Sequence, residues 1–256
     1  MTTNGDLLGN YSIQKGQVKG GQRKTSDIDT FPCDGQNPYN RPDMLLIGIT
    51  GGLASGKSTL AHQFQGEGAY LIDADLLART VVAPGRAAWK DIVRTFGKKV
   101  LRLDRTLDRP QLADLVFHDQ KKLATLTSYI YPRVAKEQHR LTKEICRHDP
   151  EAIIIYDAAM LIEANAHTRM NKVILVNTPQ PVQISRACQR DGLTKTQALE
   201  RIRQQIPFRK KRPFADYIIQ GTLSKKDLQK TVKTLFREFS SLAKGSVKKY
   251  VVHEDA

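Results

Sequence analysis

The amino-acid sequence predicts an α/β fold of the P-loop NTPase type, in which helices flank a five-stranded parallel sheet. First, five short apolar runs alternate with stretches of helical periodicity, a pattern typical of parallel strands joined by helical crossovers. Second, the runs are continuously apolar, as strands covered on both faces are. Third, a glycine-rich turn separates the first run from the start of a helix, which indicates a phosphate-binding loop.

The predicted strands follow the apolar runs in chain order. The first is MLLIGIT, which ends directly before the glycine-rich turn, and the others are AYLID, AIIIYD, KVILVN and DYIIQ. Their ranges are 44–50, 69–73, 152–157, 172–177 and 216–220. Helical sequence between the runs is what a parallel sheet requires of its connections.

Three helices are predicted from their periodicity or their first residues. After Pro132, four residues recur at helical spacing and their apolar members form one stripe; they are Val134, Gln138, Leu141 and Ile145. Thr194 and Gln197 form a Thr-x-x-Gln capping box that opens a helix through Ile206. Ser224 is the predicted cap of the last helix. The apolar seam of that helix consists of Leu228, Val232, Leu235, Phe239 and Leu242.

The composition narrows the class of protein. The chain has 256 residues, of which 40% are hydrophobic and 26% charged, as in globular proteins. No apolar run approaches the ~20 residues of a membrane span, so we expect a cytoplasmic protein. The three cysteines are widely spaced and form no C-x-x-C pair, which favours neither a disulfide framework nor a zinc site.

The sequence also predicts where the domain begins and ends. Residues 1–43 lack apolar periodicity, so we expect a disordered extension, and one hypothesis is that Met44 is the initiating residue. Residues 44–243 are predicted to form one P-loop domain, with a helical substrate-binding insertion at about 76–150 and a lid at about 183–212. The last segment, 244–256, is predicted to be a flexible tail.

The glycine-rich turn matches the motif G-x-x-x-x-G-K-[ST] from Gly51 to Ser58. Backbone N–H groups of such a loop and the following helix N-terminus bind phosphates. Lys57 is expected to reach the β- and γ-phosphates, and the Ser58 hydroxyl to bind Mg²⁺. The residues predicted to bind the nucleotide here are Gly52, Ala54, Ser55, Gly56, Lys57, Ser58 and Thr59.

Acidic residues follow two of the predicted strands. Asp73 and Asp75 come at the end of the second, where ligands of a parallel sheet gather. The spacing of Asp75 is equally consistent with two roles. It could be a general base toward an attacking hydroxyl, or a cap of the helix that starts at Leu76. Asp157 ends the third strand and is placed like a Walker-B aspartate that holds Mg²⁺.

The formal net charge of +15 indicates anionic partners. Residues 183–212 carry nine basic and two acidic side chains, a net +7. A basic helical segment between the fourth and fifth strands suits a lid that closes over ATP, but a nucleic-acid surface is an open alternative. Few aromatic residues interleave with these charges, which disfavours a stacking platform for single strands.

Five segments together resemble the dephospho-coenzyme A kinase family. They are IGITGGLASGKST, LIDADLLARTVVAPG, FGKKVLRLDRTLDRPQLADLVF, QISRACQRDGLT and RQQIPFRKKRPFADYII, and the resemblance spans residues 44–240. It implies ATP- and Mg²⁺-dependent phosphorylation of the ribose 3′-hydroxyl of dephospho-CoA, the last step of coenzyme A synthesis, without an obligate nucleic acid. The alternatives are another P-loop small-molecule or nucleotide kinase and an ATP-switched nucleic-acid-binding protein.

The resemblance also implies roles for individual residues. It favours Asp75 as the base, gives Arg190 the place of the lid arginine over the ATP phosphates, and makes Arg109 a contact to an anionic substrate. The remaining implied contacts are Arg186 and Gln205 to ATP, and Tyr131 and Glu163 to the acceptor. The chain departs from the family pattern where Tyr131 replaces a histidine and Ala159 a proline, so imidazole chemistry at position 131 is lost.

Overall fold

The computed structural model describes residues 44–117 and 119–247, and its centre is a five-stranded parallel sheet. Its strands are β1 (Leu45–Gly51), β2 (Tyr70–Asp73), β3 (Ile153–Asp157), β4 (Lys172–Asn177) and β5 (Tyr217–Gln220). The predicted strands are therefore confirmed to within one residue. Their order in the sheet is β2-β3-β1-β4-β5, so the strand that leads into the phosphate loop lies in the middle.

Helices of very different lengths connect and flank the strands. They are α1 (Lys57–Gly66), α2 (Ala74–Val81), α3 (Ala87–Phe96), α4 (Arg109–Phe117), α5 (Gln120–His148), α6 (Gln180–Asp191), α7 (Lys195–Gln204), α8 (Phe208–Lys211) and α9 (Lys225–Val247). Within the described ranges, no helix has the length and hydropathy to cross a lipid bilayer. The predicted flexible tail, 244–256, was begun too early, because α9 continues to Val247. The predictions for residues 1–43 and for the tail beyond Val247 fall outside the described residues, and Met44 as the initiating residue stays a hypothesis.

The chain divides into two compact units. One is Ile72–Glu144, here called the helical unit, and the other comprises the described residues on either side of it, here called the sheet unit. The sheet unit buries one core beneath α1 and α9, where the rings of Phe64 and Phe239 stack with centroids 5.9 Å apart. The helical unit has its own core around Ile92, which is fully buried.

The last helix confirms its predicted cap but not all of its predicted seam. Ser224 Oγ accepts the N–H of Asp227 at 3.1 Å, and Val232 and Phe239 are fully buried. Leu242 is wrongly placed in the seam, because its side chain is 41% exposed. The buried face of the helix continues instead through Ala243, which is 2% exposed.

The capping box is confirmed, and the helix it opens is shorter than predicted. Thr194 Oγ1 accepts the Gln197 N–H at 3.2 Å, and Gln197 Oε1 accepts the Thr194 N–H at 2.9 Å. The helix ends at Gln204 rather than Ile206, because Gln205 is extended and its side chain binds elsewhere.

Pro132 does not precede a helix as predicted but lies inside α5. Proline has no N–H for the helix ladder and crowds the carbonyl four residues earlier. The adjacent Arg133 donates from its guanidinium to the Tyr129 carbonyl at 2.7 Å and to Asp91 at 2.5 Å. The predicted stripe is nevertheless confirmed, because Val134, Gln138, Leu141 and Ile145 are all buried.

Candidate active site

The phosphate loop connects β1 to α1. Gly56 is the residue before the helix and has φ +96°, a left-handed conformation that glycine adopts without strain. A side chain at Gly51 would come within 2.5 Å of Ser55 Oγ, so the tight turn also needs glycine there. Among the described residues no side chain caps α1, and the N–H groups of its first turn are therefore available to an anion.

Lys57, Ser58 and Asp157 meet at the start of α1. The Ser58 hydroxyl donates to Asp157 Oδ2 at 2.7 Å, and Lys57 Nζ lies 3.0 Å from Asp157 Oδ1. The carboxylate is buried, with its side chain 7% exposed, so its charge acts in a medium of low effective dielectric. The structure thus brings the two predicted magnesium ligands into direct contact.

The oxygen ligands of Ser58 and Asp157 are of the type that Mg²⁺ prefers. No cluster of three or more His, Cys, Asp or Glu side chains suited to a metal occurs in the described part of the chain. A Mg²⁺ ion at this point would therefore depend on phosphate oxygens and water for the rest of its shell, as magnesium at nucleotide sites does.

Polar side chains from the segments that follow β4 and α7 form hydrogen bonds with the backbone of the phosphate loop. The Thr178 hydroxyl donates to the Ser55 carbonyl at 2.8 Å, and Arg186 Nη1 donates to the same oxygen at 3.5 Å. On the other side, Gln205 Oε1 accepts the Leu53 N–H at 2.9 Å. Gln205 was predicted to contact the nucleotide, and the contact that the structure gives it is to the loop itself.

A cavity of about 600 Å³ lies beside the loop. Its lining includes five residues predicted for the nucleotide site: Ala54, Gly56, Thr59, Arg186 and Arg190. Residues from the end of β5 onward complete it; they include Gly221, Leu223, Lys225 and Leu228. Sequence reasoning did not assign Leu223, Lys225 and Leu228 to the site. A side chain at Gly221 would come within 2.0 Å of the Ser55 carbonyl. A glycine directly after a strand was therefore the one sequence signal for this part of the site.

Arg190 is the predicted lid arginine and lies at the end of α6. Its Nε and Nη2 donate to the two carboxylate oxygens of Asp191, at 2.8 and 2.9 Å. This hydrogen bonding raises the pKa of Arg190 and lowers the pKa of Asp191. The Arg190 side chain is 64% exposed, so exchanging Asp191 for a phosphate involves little change in packing.

Glu163, a predicted acceptor contact, is enclosed by the sheet unit. Its Oε1 lies 2.8 Å from Lys211 Nζ and accepts the Ile206 N–H at 3.1 Å. Its side chain is 10% exposed. The contacts that the structure gives Glu163 are therefore internal, and its contact with the acceptor stays a prediction.

The helical unit carries Asp75 near the start of α2. Asp73 is the cap of that helix, because its Oδ1 accepts the N–H groups of Asp75 at 2.8 Å and Leu76 at 3.0 Å. The capping role considered for Asp75 is therefore wrong. The Asp75 side chain is exposed, one helical turn before Arg79.

Arg109 lies near three other charged groups of the helical unit. Desolvation by neighbouring protein atoms lowers the pKa of Arg109, repulsion from Arg79 and Arg102 lowers it further, and Asp75 opposes this shift. Asp75 and the two arginines are therefore each within electrostatic reach of Arg109. Tyr131 belongs to α5 of the same unit and is half-buried; its contact with the acceptor stays a prediction.

The comparisons with known proteins identify a family. A family model described as "CoaE: Dephospho-CoA kinase" matches residues 45–227. The dephospho-CoA kinase of Syntrophus aciditrophicus is 37% identical over 198 residues, which cover 77% of this chain and 84% of that protein. That of Moorella thermoacetica is 42% identical over 162 residues, which cover 63% of this chain and 76% of that protein.

Two solved structures share the fold. TT1252 from Thermus thermophilus superimposes with a TM-score of 0.66 at 30% identity, covering 76% of this chain and 97% of that one. The dephospho-CoA kinase from Campylobacter jejuni gives a TM-score of 0.58 at 24% identity, covering 77% of this chain and 98% of that one. The second likeness supports the fold alone.

Proposed function

Because this chain belongs to the dephospho-CoA kinase family, we propose that its phosphate loop binds ATP and that Asp75 acts on the acceptor hydroxyl. The enzyme phosphorylates the ribose 3′-hydroxyl of dephospho-CoA at the expense of ATP, which is the last step of coenzyme A biosynthesis. The observation that carries the assignment of residues is the contact of Lys57 and Ser58 with Asp157.

The nucleotide end of the site is proposed to lie in the sheet unit. The uncapped first turn of α1 and the backbone of Gly52–Thr59 bind the ATP phosphates, with Lys57 on the β- and γ-phosphates. The cavity beside the loop has room for the nucleoside, since Leu223 and Leu228 offer apolar surface to a base. Arg186 contacts both the loop and this cavity.

Ser58 and Asp157 are proposed to hold Mg²⁺, the hydroxyl directly and the carboxylate through water. The ion would supply neutralisation of the charge on the phosphates. The fit rests on the burial of Asp157 and its oxygen atoms, which lie where the loop ends. Lys57 balances the same carboxylate when no ion is bound.

Asp75 is proposed to accept the proton of the 3′-hydroxyl as that oxygen bonds to the γ-phosphorus and the bond from phosphorus to the oxygen of ADP breaks. Asp73 accepts the capping hydrogen bonds of α2, so the Asp75 side chain is not needed to cap that helix. Arg79, Arg102 and Arg109 are proposed to receive the anionic groups of the acceptor, with Tyr131 and Glu163 as further acceptor contacts.

Residues 183–212, which contain most of α6 and all of α7 and α8, are proposed to act as the lid. Arg190 would leave Asp191 and bind the γ-phosphoryl oxygens, whose charge is spread widely in the transition state. A closed lid also excludes water, so that the phosphoryl group passes to the acceptor rather than to water.

Turnover and nucleotide binding test this proposal together. We expect purified protein with ATP and Mg²⁺ to form ADP only when dephospho-CoA is added, and to lose turnover without Mg²⁺. ADP formation with other alcohols but not with dephospho-CoA would favour another small-molecule kinase. Stimulation by nucleic acid that falls steeply with salt would favour the nucleic-acid alternative.

A further inference from the structure

A buried ion pair joins the segment after β3 to the segment before β5. Lys211 is 2% exposed, and its Nζ lies 2.8 Å from Glu163 Oε1 and donates to the Ala159 carbonyl at 3.2 Å. A buried ammonium must be paired and hydrogen-bonded to be tolerated. Buried pairs add little to stability over apolar replacements, and their attested use is to fix one arrangement of the chain.

The pair is connected to the phosphate loop by two short paths. Glu163 Oε1 also accepts the N–H of Ile206, and the preceding Gln205 accepts the Leu53 N–H of the loop. The Ala159 carbonyl that receives Lys211 also accepts a hydrogen bond from Thr50 Oγ1 at 3.2 Å. Thr50 lies in β1, directly before the loop.

The turn between α7 and α8 is where these contacts concentrate. Gln205 has left the helix with ψ 149°, and Pro207 begins α8 with no side-chain cap among the described residues. Within the described part of the chain, backbone hydrogen bonds join this turn only to its own two helices, from the Gln205 N–H to the Ile202 carbonyl and from the Lys210 and Lys211 N–H groups to the Pro207 carbonyl. Side chains tie it to the segment after β3, since Glu163 binds the Ile206 N–H and Lys211 binds Glu163.

We propose that Lys211 and Glu163 are a positioning pair, which fixes the turn after α7 and thereby lets Gln205 hold the Leu53 amide of the phosphate loop. Neither charge touches the nucleotide. The proposal rests on the phosphate loop being the ATP site. Its consequence is that losing the pair weakens nucleotide binding through the backbone of the loop.

Nucleotide affinity measured on folded variants tests this. We expect Lys211→Met to raise the Kd of a non-hydrolysable ATP analogue, titrated by calorimetry, by at least about tenfold, the range seen when residues that orient ligands are lost. Gln205→Ala should raise the Kd to a similar extent. Unlike Lys211→Met, it should not lower the melting temperature. Lys211→Arg, which keeps the charge, should restore part of the affinity.

The double variant separates positioning from independent effects. If Lys211 acts through Gln205, Lys211→Met combined with Gln205→Ala raises Kd no further than the larger single change. Lys122→Met, which removes a surface ion pair with Asp119, is the matched control and should leave Kd unchanged.

Several results would overturn the proposal. These are wild-type affinity in folded Lys211→Met, additive effects in the double variant, or, should Lys211→Met not fold, wild-type affinity in Gln205→Ala. A wild-type protein that binds the analogue but does not phosphorylate dephospho-CoA contradicts the proposed function and leaves this test intact. A wild-type protein that does not bind the analogue overturns both.

Discussion

The Ser58 hydroxyl donates a 2.7 Å hydrogen bond to Asp157 Oδ2 and thereby joins the first turn of α1 to the end of β3. The bond occupies one oxygen of a buried carboxylate whose other oxygen faces Lys57. Both oxygens therefore face groups that we propose act on phosphates, and we expect a change at Asp157 to affect the lysine, the hydroxyl and a bound cation together.

Asp157→Asn and Ser58→Ala are expected to reduce the response to Mg²⁺. We expect kcat at saturating ATP to fall by about 10² or more, since a metal at such a site contributes several kcal/mol to stabilising the transition state. The measurement is kcat as a function of Mg²⁺ concentration. Ser58→Thr, which keeps the hydroxyl that the motif allows, is the control, and a loss equal to that of Ser58→Ala would contradict the role of the hydroxyl.

Asp75→Asn is expected to lower kcat by about 10²–10⁴, the usual contribution of a general base. Binding of the ATP analogue should not change. Asp73→Asn is the matched control, because asparagine caps helices as well as aspartate does and the same charge is removed two residues away. Equal losses in the two variants would show that charge near α2 matters rather than proton transfer by Asp75.

Arg190→Met is expected to lower kcat by about 10³, at the lower end of the range for arginines that stabilise phosphoryl transfer. Single-turnover rates with bound ATP measure this directly. Arg190→Lys should recover only part of the rate, because lysine lacks the planar fork of donors. A Met variant with normal kcat and raised KM for ATP would assign Arg190 to ground-state binding alone.

Arg109→Met is expected to raise KM for dephospho-CoA by about tenfold, consistent with the loss of one charge-assisted hydrogen bond of about 1.5–3 kcal/mol. KM for ATP should stay the same. Initial rates at varied acceptor and saturating ATP give the measurement. Arg140→Met, which removes an exposed arginine from its pairs with Glu137 and Glu144, should change neither constant.

Phe239→Ala is expected to reduce the free energy of unfolding by about 3–5 kcal/mol, because a fully buried aromatic side chain is lost from the core. Leu242→Ala, on the same helix, should cost about 0.5 kcal/mol, as surface changes do. Urea denaturation followed by circular dichroism compares them. Similar losses would mean that the core extends to the end of α9.

Features encoded locally were predictable from the sequence. The five strands follow from continuous apolar runs, and the capping box follows from two residues whose side chains bond each other's backbone N–H groups. The phosphate loop belongs to the same class, because its glycines and its Lys57-Ser58 pair are contiguous. In each of these cases the residues that determine the geometry are neighbours in the chain.

Features that depend on distant partners were not predictable. The bond from Leu53 to Gln205 and the pair of Glu163 with Lys211 join segments far apart in sequence, and no local pattern marks them. Helical periodicity was recognised only after Pro132, whereas α5 begins at Gln120 and continues through the proline. Periodicity likewise shows that α9 has an apolar face but not that Ala243 rather than Leu242 lies on its buried side.

The strand order has a consequence for how the chain folds during synthesis. β1 lies between β3 and β4, so the strand translated first has no neighbour until Ile153 and the residues after it leave the ribosome. The segment Ile72–Glu144 is contiguous, and its core of local contacts is complete earlier, as such units fold fast. We expect the nascent chain to carry a folded helical unit while the apolar β1 is still unpaired. Exposed strands are prone to aggregate during this time.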